Sequence, residues 1–469
     1  TKFLSPLTND RTDEFGGSLE NRARFTLMIL KKVREAVGND FIIEILFSGE
    51  EEKEGGYTRE EGATFLKMFD PYVDIVQIRA SEADYNHPIP FTLDETPFLE
   101  QAAYMKKNGV KMQIASIGGW HNPKTAEKAL KEGKIDIVSM ARAWISNPDY
   151  GKMIYEDRAD DIVPCLRCNK CHGRGKNDPF VSVCSVNPKI GIEHRLHYMR
   201  SEKCIPKKIA VIGGGPAGMK AAIDLFDRGH SVTLYEKENI LGGAIKHSDF
   251  VDFKWTLKDF KDYLISQIKK RKIEVILNKQ VTPAEIEKQD FDAVIVAIGA
   301  APVFPQIEGL ERENIIFATE ALENKKEVVG DVVVIGGGEV GVETGMHFAK
   351  GGHKVTVLEM RNELAADTTL IHYRSMFQAA WESIPDFNSV VSARVNKVEG
   401  KNIFYINKDG EECSVTADTI IVSAGMKSRL ECAKEFYGCT SHLYMIGDCV
   451  KPATVEQAMR MAYAVAGEA

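Results

Sequence analysis

The sequence has little excess positive charge and no long apolar run. Its 469 residues carry 60 Lys and Arg against 68 Asp and Glu, which gives a net charge of −8. Because proteins that bind nucleic acid or anionic membrane surfaces present a positive face, we expect neither partner. No apolar stretch approaches the ~18 residues that cross a bilayer. A hydrophobic content of 44% indicates a globular protein, and the length indicates several domains. The sequence does not decide whether the protein forms a homo-oligomer.

The cysteines lack the pairing pattern of a disulfide framework. Four of the nine follow the spacing C-x2-C-x2-C-x12-C, and they are Cys165, Cys168, Cys171 and Cys184. Three thiolates in one short turn and a fourth nearby suit a cubane 4Fe–4S cluster. Tetrahedral zinc is the alternative, since four thiolates satisfy it as well. Thiolate ligands require a reducing compartment, so we expect a cytoplasmic protein.

Glycine, in contrast, is concentrated in two G-x-G-x-x-G fingerprints. Each follows an apolar strand, precedes a helical stretch and has an acid at the end of the next strand. The glycines permit the tight turn, the approach of a pyrophosphate and close helix–strand packing, while the acid binds a ribose. The predicted contacts are Gly213, Gly215, Gly218 and Glu236 in the first fingerprint, and Gly336, Gly338, Gly341 and Glu359 in the second.

Two fingerprints in one chain predict two dinucleotides bound face to face, as when a nicotinamide reduces a flavin. The carboxylate of Glu359 favours a free ribose 2′-hydroxyl and repels a 2′-phosphate, which predicts NADH over NADPH. Arg361, two residues further on, could instead meet the phosphate of NADPH.

The first 160 residues have a different pattern, in which helix and strand alternate four times with short connections. This alternation predicts parallel strands, and four such units are half of a (β/α)8 barrel. The predicted strands are Phe41–Phe47, Val73–Arg79, Lys111–Ala115 and Ile135–Met140.

Several segments resemble one family. The stretch from Phe3 to Arg22 resembles the sequence after the fourth barrel strand of old yellow enzyme relatives, and Ser116–Gly119 and Met140–Arg142 resemble their FMN phosphate site. With the cysteine motif and both fingerprints, the whole chain resembles the branch that contains 2,4-dienoyl-CoA reductase, 2-enoate reductase and trimethylamine dehydrogenase.

The resemblance implies an α/β fold with the C-terminal half of a TIM barrel, an iron–sulfur segment and two Rossmann-like domains of the glutathione-reductase type. The implied parts are a partial barrel with FMN and substrate at 1–160, the iron–sulfur segment at 161–205, a discontinuous FAD-binding domain at 206–310 and 425–469, and an NAD(P)H-binding domain at 311–424. Since barrel strands one to four are missing, we expect a fragment of a longer protein that holds FAD better than FMN.

The resemblance also implies further cofactor contacts. Gly118, Gly119, Ala141 and Arg142 would hold the FMN phosphate, and Arg142 has a surface salt bridge as its alternative. Asp448 would bind the ribityl chain of FAD or cap a turn. The remaining implied FAD contacts are Gly242, Gly243, Gly299, Gly447 and Gln457.

The implied activity is a transfer of electrons from NAD(P)H, via FAD and a 4Fe–4S cluster, to FMN and then to the C=C bond of a small α,β-unsaturated carbonyl. Tyr85 or His87 would protonate the α-carbon, or would stand in a solvent-exposed turn. An amine, acyl or steroid dehydrogenase running oxidatively, or an inactive fragment, is the alternative. The sequence does not distinguish an acyl-CoA, an aryl enoate and a steroid or bile-acid enone.

Overall fold

The computed structural model describes residues 2–79, 89–172, 183–196, 205–368 and 371–469. The chain divides into two compact units, Thr1–Arg167 and Cys168–Ala469. This division falls inside the cysteine motif, whereas the sequence predicted a barrel that ends at residue 160. The finer division of the second unit into flavin and nicotinamide domains stays a prediction.

The first unit alternates helices and parallel strands. Its elements are α1 Leu19–Val37, β1 Glu44–Ser48, α2 Arg59–Phe69, β2 Ile75–Arg79, α3 Leu99–Lys107, β3 Gln113–Ile117, α4 Pro123–Lys131, β4 Ile137–Ser139, α5 Arg142–Ser146 and α6 Tyr150–Tyr155. The four strands pair in chain order, β1-β2-β3-β4, and every pair is parallel. The predicted alternation is therefore present, and the carboxyl ends of the strands share one edge.

Local sequence accounts for the starts of these helices. The Ser18 hydroxyl accepts from the N–H of Asn21 at the start of α1, and Thr58 with Glu61 forms a capping box at α2. Asn122 caps α4 ahead of Pro123, whose fixed φ suits a first helical position. Behind them, the side chains of Phe65, Leu66, Val76, Ile78 and Ile114 are fully buried.

The first strand is shorter than predicted. The ladder with β2 begins at Glu44, opposite Ile75, while Phe41 and Ile42 are 61% and 67% exposed. The reason is non-local, because a carboxylate oxygen of Asp74 accepts the N–H of Ile43 at 2.7 Å and ends the ladder there. Residues 41–43 therefore lie outside the sheet.

The second unit contains fifteen strands among its described residues. They are β5 Lys208–Ile212, β6 Ser231–Tyr235, β7 Glu274–Ile276, β8 Ala293–Val296, β9 Ala300–Pro302, β10 Ile316–Phe317, β11 Val332–Ile335, β12 Val355–Leu358, β13 Phe387–Val390, β14 Arg394–Glu399, β15 Asn402–Ile406, β16 Glu412–Thr416, β17 Thr419–Val422, β18 Met426–Ser428 and β19 Leu443–Met445. Two five-stranded parallel sheets have the orders β19-β8-β5-β6-β7 and β10-β17-β11-β12-β13. An antiparallel sheet β14-β15-β16 and the pair β18-β9 complete the set.

Helices connect these strands. They are α7 Pro216–Asp227, α8 Trp255–Lys270, α9 Pro283–Glu287, α10 Ala318–Leu322, α11 Glu339–Lys350, α12 Ile371–Glu382, α13 Leu430–Lys434 and α14 Val455–Glu468. Within the described ranges, none of the helices is both long enough and apolar enough to cross a bilayer. Each five-stranded sheet thus contains one fingerprint, at the β5–α7 connection and at the β11–α11 connection.

Candidate functional site

The first cradle, residues 208–236, is the strand–turn–helix of the first fingerprint. Gly213 has φ +110°, a backbone conformation that favours glycine. A Cβ on Gly218 would lie 1.9 Å from the Gly213 carbonyl oxygen, so only glycine lets α7 pack this close to β5. Gly215 is the N-cap of α7, where free N–H groups and the helix dipole favour a bound anion.

Glu236 closes the first cradle from the end of β6. It is 6% exposed, and its two carboxylate oxygens accept the N–H groups of Gly214 at 2.7 Å and Glu238 at 2.8 Å. A carboxylate has about four lone-pair sites, so each oxygen retains acceptor capacity for a ribose hydroxyl.

A glycine pair lies against this cradle. Gly242 donates its N–H to the Gly214 carbonyl at 2.9 Å, and a Cβ on Gly243 would lie 2.7 Å from the Cα of Gly215. The predicted FAD contacts Gly242 and Gly243 therefore cover the turn of the first fingerprint. Gly299 and Gly447, also predicted, have φ +70° and +69°.

The side chains of Asp448 and Gln457 each accept a backbone N–H from one of the two residues before α14. An Asp448 carboxylate oxygen accepts the N–H of Ala453 at 3.1 Å, as expected of the turn-capping alternative, and burial raises the pKa of Asp448. The side-chain oxygen of Gln457 accepts the N–H of Thr454 at 3.2 Å. Their contacts with FAD stay a proposal.

The second cradle, residues 332–359, repeats this arrangement. Gly336 has φ +106°, and a Cβ on Gly341 would lie 1.9 Å from the Gly336 oxygen. Glu359 is 6% exposed and accepts the N–H groups of Gly337 at 2.5 Å and Arg361 at 2.8 Å. A Cβ on Gly338 would meet no described atom within 4 Å, which leaves room for a pyrophosphate.

Side chains around the second cradle add charge. Glu339, in the first turn of α11, accepts from the Tyr373 hydroxyl at 3.3 Å. One turn further, Glu343 forms a buried ion pair with Lys254. Burial disfavours the charged carboxylate by more than the ammonium of Lys254 favours it, and so raises the pKa of Glu343 to about 7.

The predicted FMN phosphate loop follows β3 in the first unit. Gly118 and Gly119 have φ +115° and +81°. Arg142 begins α5, after the N-cap Ala141. Two buried polar atoms near this loop, Ser116 Oγ and Trp120 Nε1, have no hydrogen-bond partner among the described residues. The loop thus offers backbone and polar atoms that suit an anionic group, and a cation follows the neighbouring strand β4.

Arg167 is a residue of this region that sequence reasoning missed. It is 1% exposed, and its guanidinium donates to the Thr92, Asp94, Glu95 and Gly119 carbonyl oxygens at 3.4, 3.1, 2.6 and 2.9 Å. Burial, and next the positive charge of Arg142, lower the pKa of Arg167 to about 10, so it stays charged at neutral pH.

The cysteine motif straddles the division of the chain, with Cys165 in the first unit and the other three in the second. The N–H of Arg167 donates to Cys165 Sγ at 3.5 Å. Cys168 Sγ lies 3.2 Å from Ser185 Oγ, which brings the segment of Cys184 next to the motif. N–H and O–H contacts to sulfur are typical around thiolate ligands.

The structure does not itself assemble a metal site from these cysteines. Among the described residues, no group of three or more His, Cys, Asp or Glu is placed to hold a metal ion. The four cysteines form no disulfide and are partly buried, which suits thiolate ligands. The cluster therefore stays a proposal that rests on donor type and spacing.

Lys170, inside the cysteine motif, contacts the start of α14. Its ammonium donates to Thr454 Oγ1 at 2.7 Å and to a carboxylate oxygen of Glu456 at 3.3 Å.

The predicted proton donors Tyr85 and His87 lie outside the described residues.

Comparison with known proteins follows the same division. Residues 1–161 match the NADH:flavin oxidoreductase / NADH oxidase family. Residues 207–462, which contain both cradles, match the pyridine nucleotide-disulphide oxidoreductase family. The chain belongs to the NADH:flavin oxidoreductases that carry a pyridine nucleotide-disulphide oxidoreductase domain. These matches confirm the predicted family, the fold class and the assignment as an oxidoreductase. They also support FMN as the cofactor of the first domain and FAD with a pyridine nucleotide as the cofactors of the second.

Similar proteins include enzymes named for reduction. The chain is 35% identical to an NADH oxidase of Thermoanaerobacter brockii over 90% of its length and 66% of that protein. It is 30% identical to a cinnamate reductase of Clostridium sporogenes, over 99% and 72% of the two chains. A solved 2-naphthoyl-CoA reductase complex matches with 30% identity and TM-score 0.91, over 100% of this oxidoreductase and 71% of the solved chain.

Proposed function

We propose that this oxidoreductase passes electrons from NADH, via FAD and a 4Fe–4S cluster, to FMN and reduces the C=C bond of a small α,β-unsaturated carbonyl compound. The chain spans 66% of the NADH oxidase and 72% of the cinnamate reductase. The proposal therefore concerns the enzyme to which these residues belong.

One observation carries the proposal: two cradles with the same backbone and carboxylate arrangement occur in a single compact unit. A single cradle would suit many dehydrogenases, whereas two support a donor dinucleotide next to a flavin. Bound flavins supply hydride chemistry and a cluster supplies single-electron transfer. The protein's part is to bind, orient and shield these groups.

The donor we propose is NADH. Glu359 is buried and held by two backbone N–H groups, so its carboxylate is fixed at the end of β12, where the fingerprint places a ribose. Arg361, which could have met a 2′-phosphate, pairs with Asp367 at 2.8 Å. Both observations favour a free 2′-hydroxyl.

The names of the relatives support the proposed electron acceptor, which is the C=C bond of an α,β-unsaturated carbonyl compound. Cinnamate reductase and 2-naphthoyl-CoA reductase indicate conjugated acyl substrates. We propose Tyr85 or His87 as the group that gives a proton to the α-carbon, since a neutral phenol or a protonated imidazole can serve as a general acid. Cys165, Cys168, Cys171 and Cys184 are the proposed cluster ligands.

The test is anaerobic turnover of NADH and cinnamate by the enzyme to which these residues belong, followed by chromatography of the product. We expect one NADH to be oxidised for each cinnamate converted to its saturated acid, and no NADH oxidation with the saturated acid alone. NADH oxidation only in the presence of oxygen would contradict an alkene acceptor. Iron and sulfide analysis of the same sample tests the cluster, and zinc without iron would contradict it.

A further inference from the structure

The side chain of Arg167 joins segments that are far apart in sequence. One terminal nitrogen donates to the carbonyls of Thr92 and Asp94, and the other donates to those of Glu95 and Gly119. The first three carbonyls lie in the connection between β2 and α3, and the fourth lies in the predicted phosphate loop after β3. Arg167 therefore ties two strand-end loops to each other.

The backbone of Arg167 joins the same loops to the cysteine motif. Its N–H donates to Cys165 Sγ at 3.5 Å, and its φ of +54° is a left-handed conformation that strains a non-glycine residue. Such strain persists where surrounding contacts determine the conformation, and the four carbonyl bonds of the side chain are such contacts.

Crowding at Gly119 shows how tightly the guanidinium is placed. A Cβ on Gly119 would lie 2.9 Å from an Arg167 terminal nitrogen and 2.1 Å from the Glu95 carbonyl oxygen. The Gly119 carbonyl also contacts the ring of His121 at 3.1 Å. The phosphate loop is thus fixed at the Gly119 carbonyl, which accepts from Arg167 and contacts His121.

We propose that Arg167 is a positioning residue that makes retention of FMN depend on the cysteine motif. Its hydrogen bonds to the carbonyls of residues 92, 94, 95 and 119 hold the phosphate loop in the conformation that binds FMN. This inference rests on the proposed function, because it takes the Gly118–Gly119 loop as the FMN phosphate site.

The test compares Arg167→Met, Arg167→Lys and Arg22→Met in the full chain. Arg22 is the matched control, because it is also buried, at 5% exposure, and donates to the Leu4 carbonyl and to Glu61. Two measurements are made on each purified protein: the ratio of bound FMN to bound FAD by chromatography, and hydrogen exchange of peptides that cover residues 89–98 and 116–122.

We expect R167M to lower the FMN-to-FAD ratio by about tenfold, since several charge-assisted hydrogen bonds are lost, and to speed exchange in both peptides. R167K should stay well below the wild type, because one ammonium cannot hold four carbonyls. R22M should leave the ratio and both peptides unchanged.

Three results would overturn the proposal. They are an unchanged ratio and exchange in R167M, full retention of FMN in R167K, and the same losses in R22M as in R167M. A wild-type chain with very little FMN would agree with the expectation that it holds FAD better than FMN. Exchange of the two peptides would then decide the role of Arg167 by itself.

Discussion

The two cradles share a backbone and differ in what surrounds it. In the first, Gly243 lies against Gly215, with 3.8 Å between the Cα of Gly243 and a Cβ built on Gly215. In the second, Ala365 donates its N–H to the Gly337 carbonyl, much as Gly242 does to Gly214 in the first. A Cβ built on Gly338 would meet no described atom within 4 Å, and an acid, Glu339, occupies the first helical turn. A helix that begins without an acid suits a resident FAD, and an acid beside the anion site suits a nicotinamide that must leave. On the proposed assignment, the same fold motif therefore serves retention in the first cradle and exchange in the second.

The largest effect should come from adding a methyl group to the third glycine of either fingerprint. Gly218→Ala and Gly341→Ala each place a Cβ 1.9 Å from a backbone oxygen, and overpacking of about 3 kcal/mol corresponds to about a hundredfold in binding. We expect G218A to lose FAD. We expect G341A to keep FAD but to be reduced by NADH about a hundredfold more slowly, as measured by flavin absorbance.

Gly467→Ala is the control for this pair, because a Cβ there meets no described atom within 4 Å. Loss of FAD in G341A, or normal FAD content in G218A, would contradict the assignment of the two cradles.

Removing each closing carboxylate should have a smaller effect. Glu236→Ala and Glu359→Ala each leave two backbone N–H groups without their acceptor, which costs about 1–3 kcal/mol per buried group. We expect E359A to raise the KM for NADH about tenfold or more with FAD content unchanged, and E236A to lower FAD content. If E359A changed kcat but not KM, the proposed ribose contact would be wrong.

The helices of the two cradles also predict different pH behaviour. Two residues after the third glycine, α11 carries the buried Glu343 and α7 carries Lys220. Burial raises the pKa of Glu343 from 4.5 in the unfolded chain to about 7. The contribution of its protonated form to stability is therefore complete below pH 4.5 and is lost as pH rises through about 7.

We expect the free energy of unfolding of the wild type to fall between pH 5 and pH 8 relative to Glu343→Gln, which cannot titrate. Urea unfolding at both pH values measures the difference. Parallel curves for the two proteins would show that Glu343 ionises normally.

The smallest effect should come from the pair beside the second cradle. Asp367→Asn frees the exposed guanidinium of Arg361, and we expect the preference for NADH over NADPH to fall about two- to threefold, since exposed ion pairs are weak. Asp409→Asn, which alters another exposed acid that pairs with Lys408, is the control. An unchanged preference in D367N would mean that Arg361 does not face the 2′-position.

Local patterns predicted much of this fold. The fingerprints gave both cradles, and helix–strand alternation gave the four parallel strands of the first unit. The start of β1 was predicted three residues early, because Asp74, the residue before β2, binds the N–H of Ile43 and ends the ladder there. Arg167 was missed for a similar reason, since its partners lie 48 to 75 residues away and a lone arginine between cysteines indicates nothing by itself.

The most direct test of two cooperating cradles is anaerobic stopped-flow mixing of NADH with the purified protein. The account predicts rapid bleaching of bound FAD by NADH, much slower bleaching by NADPH, and bleaching about a hundredfold slower in G341A while FAD stays bound. Retention of FAD without any reduction by NADH would contradict the central claim that the second cradle delivers a nicotinamide to the flavin of the first.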